Sequence, residues 1–325
     1  MGRRSVWSDQ RVLAACASFV PAADEVWRLQ RDDDPECRWF REAVRGSDDA
    51  VAGSMQGTYV LTASGDLLGR INSSNPDRVL AMLERALEKW RALPAASREA
   101  AAPDSAAPEH RLEDSFPSDG LSLVRFARDV QEDPTQPPAK PVNRDTVWFS
   151  TTELEGLVPA RGEVGAAREV DPALSARLAR FAFVDNVRGQ TLPFSASSIR
   201  AAALRSEVVA VDGSRWTLRL TGRTHAVTDG SEPGEDYWRS NRQWPRSMAT
   251  EVLGEARWNA AERRFESFEL VALGTRTGRT TFNGRAREAA GSSHRVGFLL
   301  RCAPPGLRVA PTFVNLYGVD WIKMP

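Results

Sequence analysis

Apolar and polar residues alternate along much of the second half of the chain, and this alternation restricts the fold more than any other feature. Thr217 and Arg219 separate the apolar residues of the segment 216–220, as in a strand with one face in water. Asp212–Gly213 and residues 259–262 are typical of tight antiparallel connections. Strands are predicted over residues 148–149, 178–183, 199–211, 216–220, 251–258, 264–274, 279–282 and 294–301. Residues 146–325 are therefore predicted to form an antiparallel β sandwich or a partly open barrel.

The first 93 residues follow a different pattern, typical of a compact α/β unit. Asn75 and Pro76 have the residue types of a helix start, and apolar residues then recur every three or four positions up to Trp90, which predicts an amphipathic helix. Residues 58–62 and 67–71 flank a Ser-Gly turn and predict a hairpin that packs against this helix. Further helices are predicted over 9–18 and 35–44, with a short strand over 19–23. The predicted fold class is α+β.

Residues 94–145 are rich in Ala, Pro, Ser and Asp and show no long apolar period, which predicts a linker. Leu121, Val124, Phe126 and Ala127 predict one short helix within it. The expected domains are therefore an α/β domain over 1–93, this Pro/Ala-rich linker over 94–145, and an antiparallel β domain over 146–325.

Composition restricts the partners and the compartment. The 43 basic residues balance 43 acidic ones, so no nucleic acid partner is expected. No apolar run reaches the roughly 18 residues of a membrane span, and the start of the given sequence lacks the apolar core of a secretory signal. A cytoplasmic location is expected, which a longer natural N-terminus would change. Because the three Cys and three His are scattered, no metal site and no cofactor are expected.

Two parts of the first 93 residues resemble thioredoxin-like proteins. Residues 8–15 and 19–24 resemble the helix and strand that follow the active site in that family, and residues 56–68 with the helix after them resemble the second half of its fold. The whole chain resembles bacterial two-domain proteins with a thioredoxin-like front and a β-rich back. The stretches that carry the likeness in the back half are 185–190, 268–274 and 309–313. The resemblance implies a thioredoxin-like domain over 1–93.

The chemistry of that family requires a pair of cysteines two residues apart at a helix start, where the thiolate is stabilised. Cys16, Cys37 and Cys302 are far apart in the sequence, and Tyr59 stands where the family's cis-proline follows Thr58. The resemblance therefore implies that the dithiol reaction is lost. Cys37 is the one candidate catalytic residue, because it lies near a predicted helix start beside Arg38, although the neighbouring acidic residues oppose thiolate formation.

The densest aromatic cluster of the β half is the segment 237–244. Tyr237, Trp238, Arg239 and Trp244 fall there in a predicted loop, and aromatic rings beside arginine can stack on sugars, bases or proteins. These four are the candidate ligand-binding residues, with a protein or a small molecule as the expected partner at the β domain. The alternative is a loop that plugs the end of the β domain.

Two functions remain open from the sequence. The first is a non-catalytic thioredoxin-like scaffold or binding protein of unknown ligand. The alternative is a one-cysteine redox protein in which Cys37 reacts with peroxide or a disulfide.

Overall fold

The computed structural model describes residues 6–7, 9–24, 26–45, 55–98, 112–131, 133, 135, 142–231, 244–289 and 291–323. The chain divides into two compact units, residues 1–109 (unit 1) and residues 110–325 (unit 2). Among the described residues, none of the helices has the length and apolar character needed to cross a bilayer.

Unit 1 combines helices with a β-hairpin. Its elements are α1 (Gln10–Cys16), α2 (Val26–Arg31), α3 (Pro35–Val44), β1 (Thr58–Leu61), β2 (Leu67–Ile71), α4 (Pro76–Ala92) and α5 (Ala95–Arg98). Helix α4 begins as predicted, because the Asn75 side chain accepts hydrogen bonds from two backbone N–H groups of the first turn and Pro76 follows it. The apolar side of α4 packs on the hairpin through Val79 and Leu83, which lie in one core with Val60 and Leu68.

The predicted strand over 19–23 is wrong, because residues 20–24 carry no regular structure. Pro21 has no N–H to donate to a neighbouring strand. The side chain of Val20 is 97% exposed, so no apolar burial stabilises an extended segment at this position.

Unit 2 is built around long antiparallel strands. Its elements are a 3-10 turn (Leu112–Ser115), β3 (Leu121–Asp129), β4 (Val142–Phe149), α6 (Thr151–Leu157), β5 (Ala167–Glu169), α7 (Pro172–Arg177), a π turn (Leu178–Ala182), β6 (Ile199–Asp212), β7 (Arg215–Thr228), β8 (Arg246–Asn259), β9 (Arg264–Thr277), β10 (Ser293–Cys302) and a 3-10 turn (Val314–Leu316). These strands form a single sheet in the order β4-β3-β10-β9-β8-β7-β6-β5. Every neighbouring pair is antiparallel, as predicted.

The sheet is open rather than closed into a barrel. In the described part of unit 2, helices rather than a second sheet cover its apolar face. Leu154 of α6, Leu174 of α7 and Phe181 of the π turn lie in one core with Leu218 of β7 and Leu270 of β9. Of the prediction for residues 146–325, the antiparallel sheet is confirmed, whereas the described strands form neither the two sheets of a sandwich nor a closed barrel. We call the face that packs on α6 and α7 the inner face.

Two further local predictions are wrong because a short apolar run fits more than one period. Residues 121–129 form strand β3 instead of a linker helix, and Leu123 and Ala127 of this strand face the core. Residues 178–182 form a π turn instead of a strand, since they continue the apolar side of α7. The boundary between the units falls at residues 109–110. Strands β3 and β4 begin at Leu121 and Val142, within residues 94–145, which were predicted to be a linker.

Candidate functional site

A small polar cleft lies at the end of the sheet where β8 begins and β9 ends. Arg246 is the first residue of β8, Arg276 is the last but one of β9, and Asp185 and Asn283 come from the loops after the π turn and after β9. All four side chains are more than nine-tenths buried. The cleft has room for about 10 Å³, roughly what a single water molecule requires.

Strand register places the two arginines on the inner face. Arg276 lies opposite Met248 across the β8–β9 pair. It continues the alternation that buries Leu270 and Ala272 earlier in β9, and Arg246, two residues before Met248, lies on the same face of β8. The inner face therefore changes from apolar to charged within one strand. The Arg246 guanidinium lies 4.0 Å from the centre of the Phe194 ring and donates a hydrogen bond to the carbonyl of Pro193.

Glycines allow the surrounding loops to approach one another closely. A Cβ at Gly189 would lie 1.9 Å from the carbonyl oxygen of Phe282, so the loop after the π turn and the loop after β9 touch backbone to backbone. Gly278 has a φ of 72°, and a Cβ there would lie 2.0 Å from the carbonyl oxygen of Pro245. Side chains at these positions would open the walls of the cleft.

An ion network surrounds the cleft, and its members are Asp129, Asp185, Arg188, Arg276, Arg285 and Glu288. Arg285 donates to both oxygens of Asp185, from Nε at 2.9 Å and from Nη2 at 2.7 Å. Its guanidinium also donates to Asp129, at 2.5 and 3.0 Å. Arg276 forms a bidentate pair with Glu288 at 2.8 and 2.7 Å. Three positive charges therefore face three negative ones.

The pKa values of three members, Asp129, Glu288 and Arg285, are shifted toward the charged form. Burial tends to raise the pKa of Asp129, but the hydrogen bonds and charges of Arg285 and Arg188 together outweigh it, and this pKa lies below its usual range. Burial acts in the same way on Glu288, whose pKa is nevertheless lowered by Arg276. Burial tends to lower the pKa of Arg285, yet its bonds to Asp185 and Asp129 raise it.

Two polar atoms of the buried groups around the cleft lack a hydrogen bond. Asn283 Oδ1, an acceptor, has no partner among the described residues, and Arg276 Nε, a donor, has none either. Arg276 Nε lies 3.3 Å from Asp185 Oδ2, but without the alignment of a hydrogen bond. Buried polar groups are costly when unpaired. A hydroxyl group or a water molecule suits such a site best, because it both donates and accepts.

A second buried arginine joins β3 to the loop that carries Asp185. Arg125 is fully buried, and it donates to Asn186 Oδ1 at 2.7 Å, to the carbonyl of Ala182 at 3.0 Å and to Asn143 Oδ1 at 3.2 Å. Burial lowers the pKa of Arg125, and Asp145, with an oxygen 3.9 Å away, opposes this shift. Sequence reasoning missed Arg125 and the ion network. The one part of these sites that the sequence analysis singled out was the stretch 185–190, and it was noted only because it resembles the β-rich half of two-domain proteins.

The predicted ligand-binding loop reaches the same end of the sheet. Trp244 is half-buried and lies two residues before Arg246. Its backbone N–H donates to the carbonyl of Arg279 at 3.2 Å, and the Arg279 guanidinium lies 4.4 Å from the centre of the Trp244 ring, a cation–π distance. The other three candidates of this loop, Tyr237, Trp238 and Arg239, lie outside the described residues.

The candidate catalytic residue Cys37 lies in the first turn of α3. Its backbone N–H donates to Asp34 Oδ1 at 2.9 Å, and Cys37 is fully buried. Its sulfur is therefore not exposed to a substrate in this structure. Burial also raises the pKa of Cys16 and of Cys302, which disfavours the nucleophilic thiolate of these two residues. Among the described residues, no three potential metal ligands come together.

Comparison with protein-family models, with curated proteins and with solved structures gave no match for this chain.

Proposed function

We propose that this chain is a non-catalytic binding protein for a hydroxyl-bearing ligand, such as a saccharide, which inserts one hydroxyl group into the polar cleft of unit 2 and lies otherwise at its mouth. The observation that carries the proposal is that two buried atoms, Asn283 Oδ1 and Arg276 Nε, have no hydrogen bond to any described residue. A ligand hydroxyl would donate to the first and accept from the second, and it fits a space the size of one water molecule.

The surroundings of the cleft favour recognition over catalysis. The carboxylates of Asp185, Asp129 and Glu288 are held by arginine, and the lowered pKa of Asp129 and of Glu288 makes both poor proton donors at neutral pH. Trp244, at the same end of the sheet, supplies an aromatic ring beside Arg279. Rings of this kind stack on the apolar faces of sugars.

Unit 1 fits the role of a scaffold with a thioredoxin-like fold that has lost its cysteine pair. Its support is the order of elements after Thr58, a β-hairpin followed by a helix that packs on it, together with the family resemblance of residues 8–24 and 56–68. The alternative, a redox protein that uses Cys37, stays a prediction, and the burial of this residue does not favour it.

Saturation-transfer NMR on the full chain with glucose, galactose and N-acetylglucosamine as probes tests the proposal. We expect a signal from at least one sugar, lost in Asn283→Leu and strongly reduced in Trp244→Ala. Asn283→Leu removes an unpaired acceptor at similar volume, so the variant should fold, which circular dichroism checks. Trp39→Ala is the matched control, since Trp39 is an exposed tryptophan of unit 1. No transfer to any of the sugars, or equal transfer with Asn283→Leu, would overturn the proposal.

A further inference from the structure

A second and larger concavity lies on the outer face of the sheet, the face opposite α6 and α7. Val124 and Phe126 of β3 line it together with Arg144 of β4 and Arg301 of β10, and Pro304 closes one side. Its volume is about 530 Å³, within the range of small-molecule sites. We call it the outer groove.

Two arginines flank the apolar part of the outer groove. Arg144 lies opposite Phe126 across the β3–β4 pair, and Arg301 lies opposite Val124 across the β10–β3 pair, so the two belong to strands about 10 Å apart on either side of β3. The Arg301 guanidinium lies 5.2 Å from the centre of the Phe126 ring. Both long side chains can therefore converge above that ring.

Among the described residues, the charged side chains that line the outer groove are both positive, and neither arginine forms an ion pair with a described carboxylate. Glu269 lies opposite Arg301 across the β10–β9 pair, but it forms no such pair with Arg301 either. Guanidinium groups match the two oxygens of a carboxylate.

An exposed apolar row continues from the outer groove across the sheet. Strand register places Phe126 opposite Leu299, Leu299 opposite Val271, and Val271 opposite Leu253. The row crosses three strand spacings, roughly 14 Å in all. Leu253 is 63% exposed and Val271 is 48% exposed, which is unusual for a line of apolar neighbours on a wet face.

We propose that the outer groove binds an aliphatic carboxylate of medium chain length, with its head between Arg144 and Arg301 and its chain along the apolar row. The two arginines, which form no ion pair with a described carboxylate, provide the charge complement. The volume suits a small molecule, and the row provides apolar surface in one direction from the head. This site is separate from the polar cleft and does not depend on the function proposed there.

Calorimetric titration of the full chain with dodecanoate, decanoate, hexanoate and acetate tests the proposal, each kept below its micellar concentration. Affinity should rise with chain length, by about twofold per methylene, because one side of the chain stays in water and only half of the full burial effect is gained. Decanol, which lacks the charge, should bind at least about tenfold more weakly than decanoate, the factor expected for one charge-assisted hydrogen bond.

Variants locate the site. Arg144→Gln and Arg301→Gln should each raise the Kd of decanoate about tenfold. Leu253→Ser should weaken dodecanoate but leave hexanoate unchanged, because only the longer chain reaches that residue. Arg257→Gln is the matched control, since Arg257 is exposed on the same face of β8 but lies outside the row.

The proposal is overturned if dodecanoate does not bind, if affinity does not depend on chain length, or if decanol binds as well as decanoate. It is also overturned if both arginine variants bind like Arg257→Gln. Circular dichroism of each variant confirms the fold before its affinity is interpreted. All of the substituted side chains except Leu253 are polar groups on the surface, so the variants should be stable.

Discussion

Replacing Asp185 with asparagine tests the most consequential feature of unit 2, the ion network around the polar cleft. The change keeps the size of the side chain and removes its charge. Arg285 is buried and donates to both oxygens of Asp185 at 2.9 and 2.7 Å. Asparagine offers one oxygen to this guanidinium and turns an N–H group toward it in place of the other. The network is left with three arginines and two acids.

The cost can be worked out from these two hydrogen bonds. A hydrogen bond to a charged group contributes about 2 kcal/mol, and a neutral acceptor roughly halves that. Losing one bond and halving the other gives about 3 kcal/mol. Arg285 keeps Asp129 as a partner, so the value stays at the lower end of the 3–5 kcal/mol range for a broken buried pair.

The assay is thermal unfolding followed by circular dichroism in the β region, with the parent chain as reference. For a unit of the size of residues 110–325, a loss of about 3 kcal/mol lowers the midpoint by roughly 6–12 °C. Glu169→Gln is the control, because its ion pair with Arg205 lies at the surface, with the two side chains 69% and 50% exposed, and should leave the midpoint unchanged. If Asp185→Asn behaved like this control, the network would be hydrated, and the reasoning would be wrong.

Acid titration and thiol alkylation check two further features. The pKa values of Asp129 and Glu288 are lowered in the folded state, so their stabilising contribution is present above the unfolded values of about 4 and is lost as the pH falls below them. Chemical unfolding between pH 6 and 2 should show this decline, and Glu288→Gln should make it less steep; equal slopes would contradict the assignment. Alkylation of native Cys37 at neutral pH should be much slower than that of a free thiol, because the residue is fully buried. Mass spectrometry after reaction with iodoacetamide measures the rate of this alkylation, with Cys37→Ser as the control. Fast, stoichiometric labelling of Cys37 would contradict its burial and favour the redox alternative.

The β-strand predictions that succeeded depend on neighbouring residues alone. The alternation around Leu218 and the turn at Asp212–Gly213 lie within a few positions of each other, and the β6–β7 and β8–β9 hairpins form where these patterns predict them. Strand β3 was missed because Arg125 occupies an inward position, so the strand does not alternate cleanly. A charged residue that faces the core looks, in sequence, like the polar side of a helix.

The polar cleft was beyond prediction for a different reason. Arg285 and Asp185 are 100 positions apart in the chain, and Arg285 and Asp129 are 156 apart. No local pattern connects residues at such separations, and arginines occur throughout this sequence. Trp244 was singled out because several aromatic residues cluster near it, whereas Asn283 follows a single one, Phe282.

In a sheet with one face in water, apolar side chains usually face the core and polar ones face the solvent. At the two proposed sites this arrangement is inverted. Arg276 points into the core at the end of β9, while Leu273 of the same strand is 38% exposed on the outer face, beside the row that contains Val271. Natural sequences that break a local rule tend to do so at functional positions, because the stability that is lost has to be offset elsewhere. The inward arginine is compensated by Glu288, but at the far end of the outward row Leu253 and Val271 stay 63% and 48% exposed. A bound aliphatic chain would cover both residues, and this is why the ligand titrations give a sharper test of the outer face than stability measurements do.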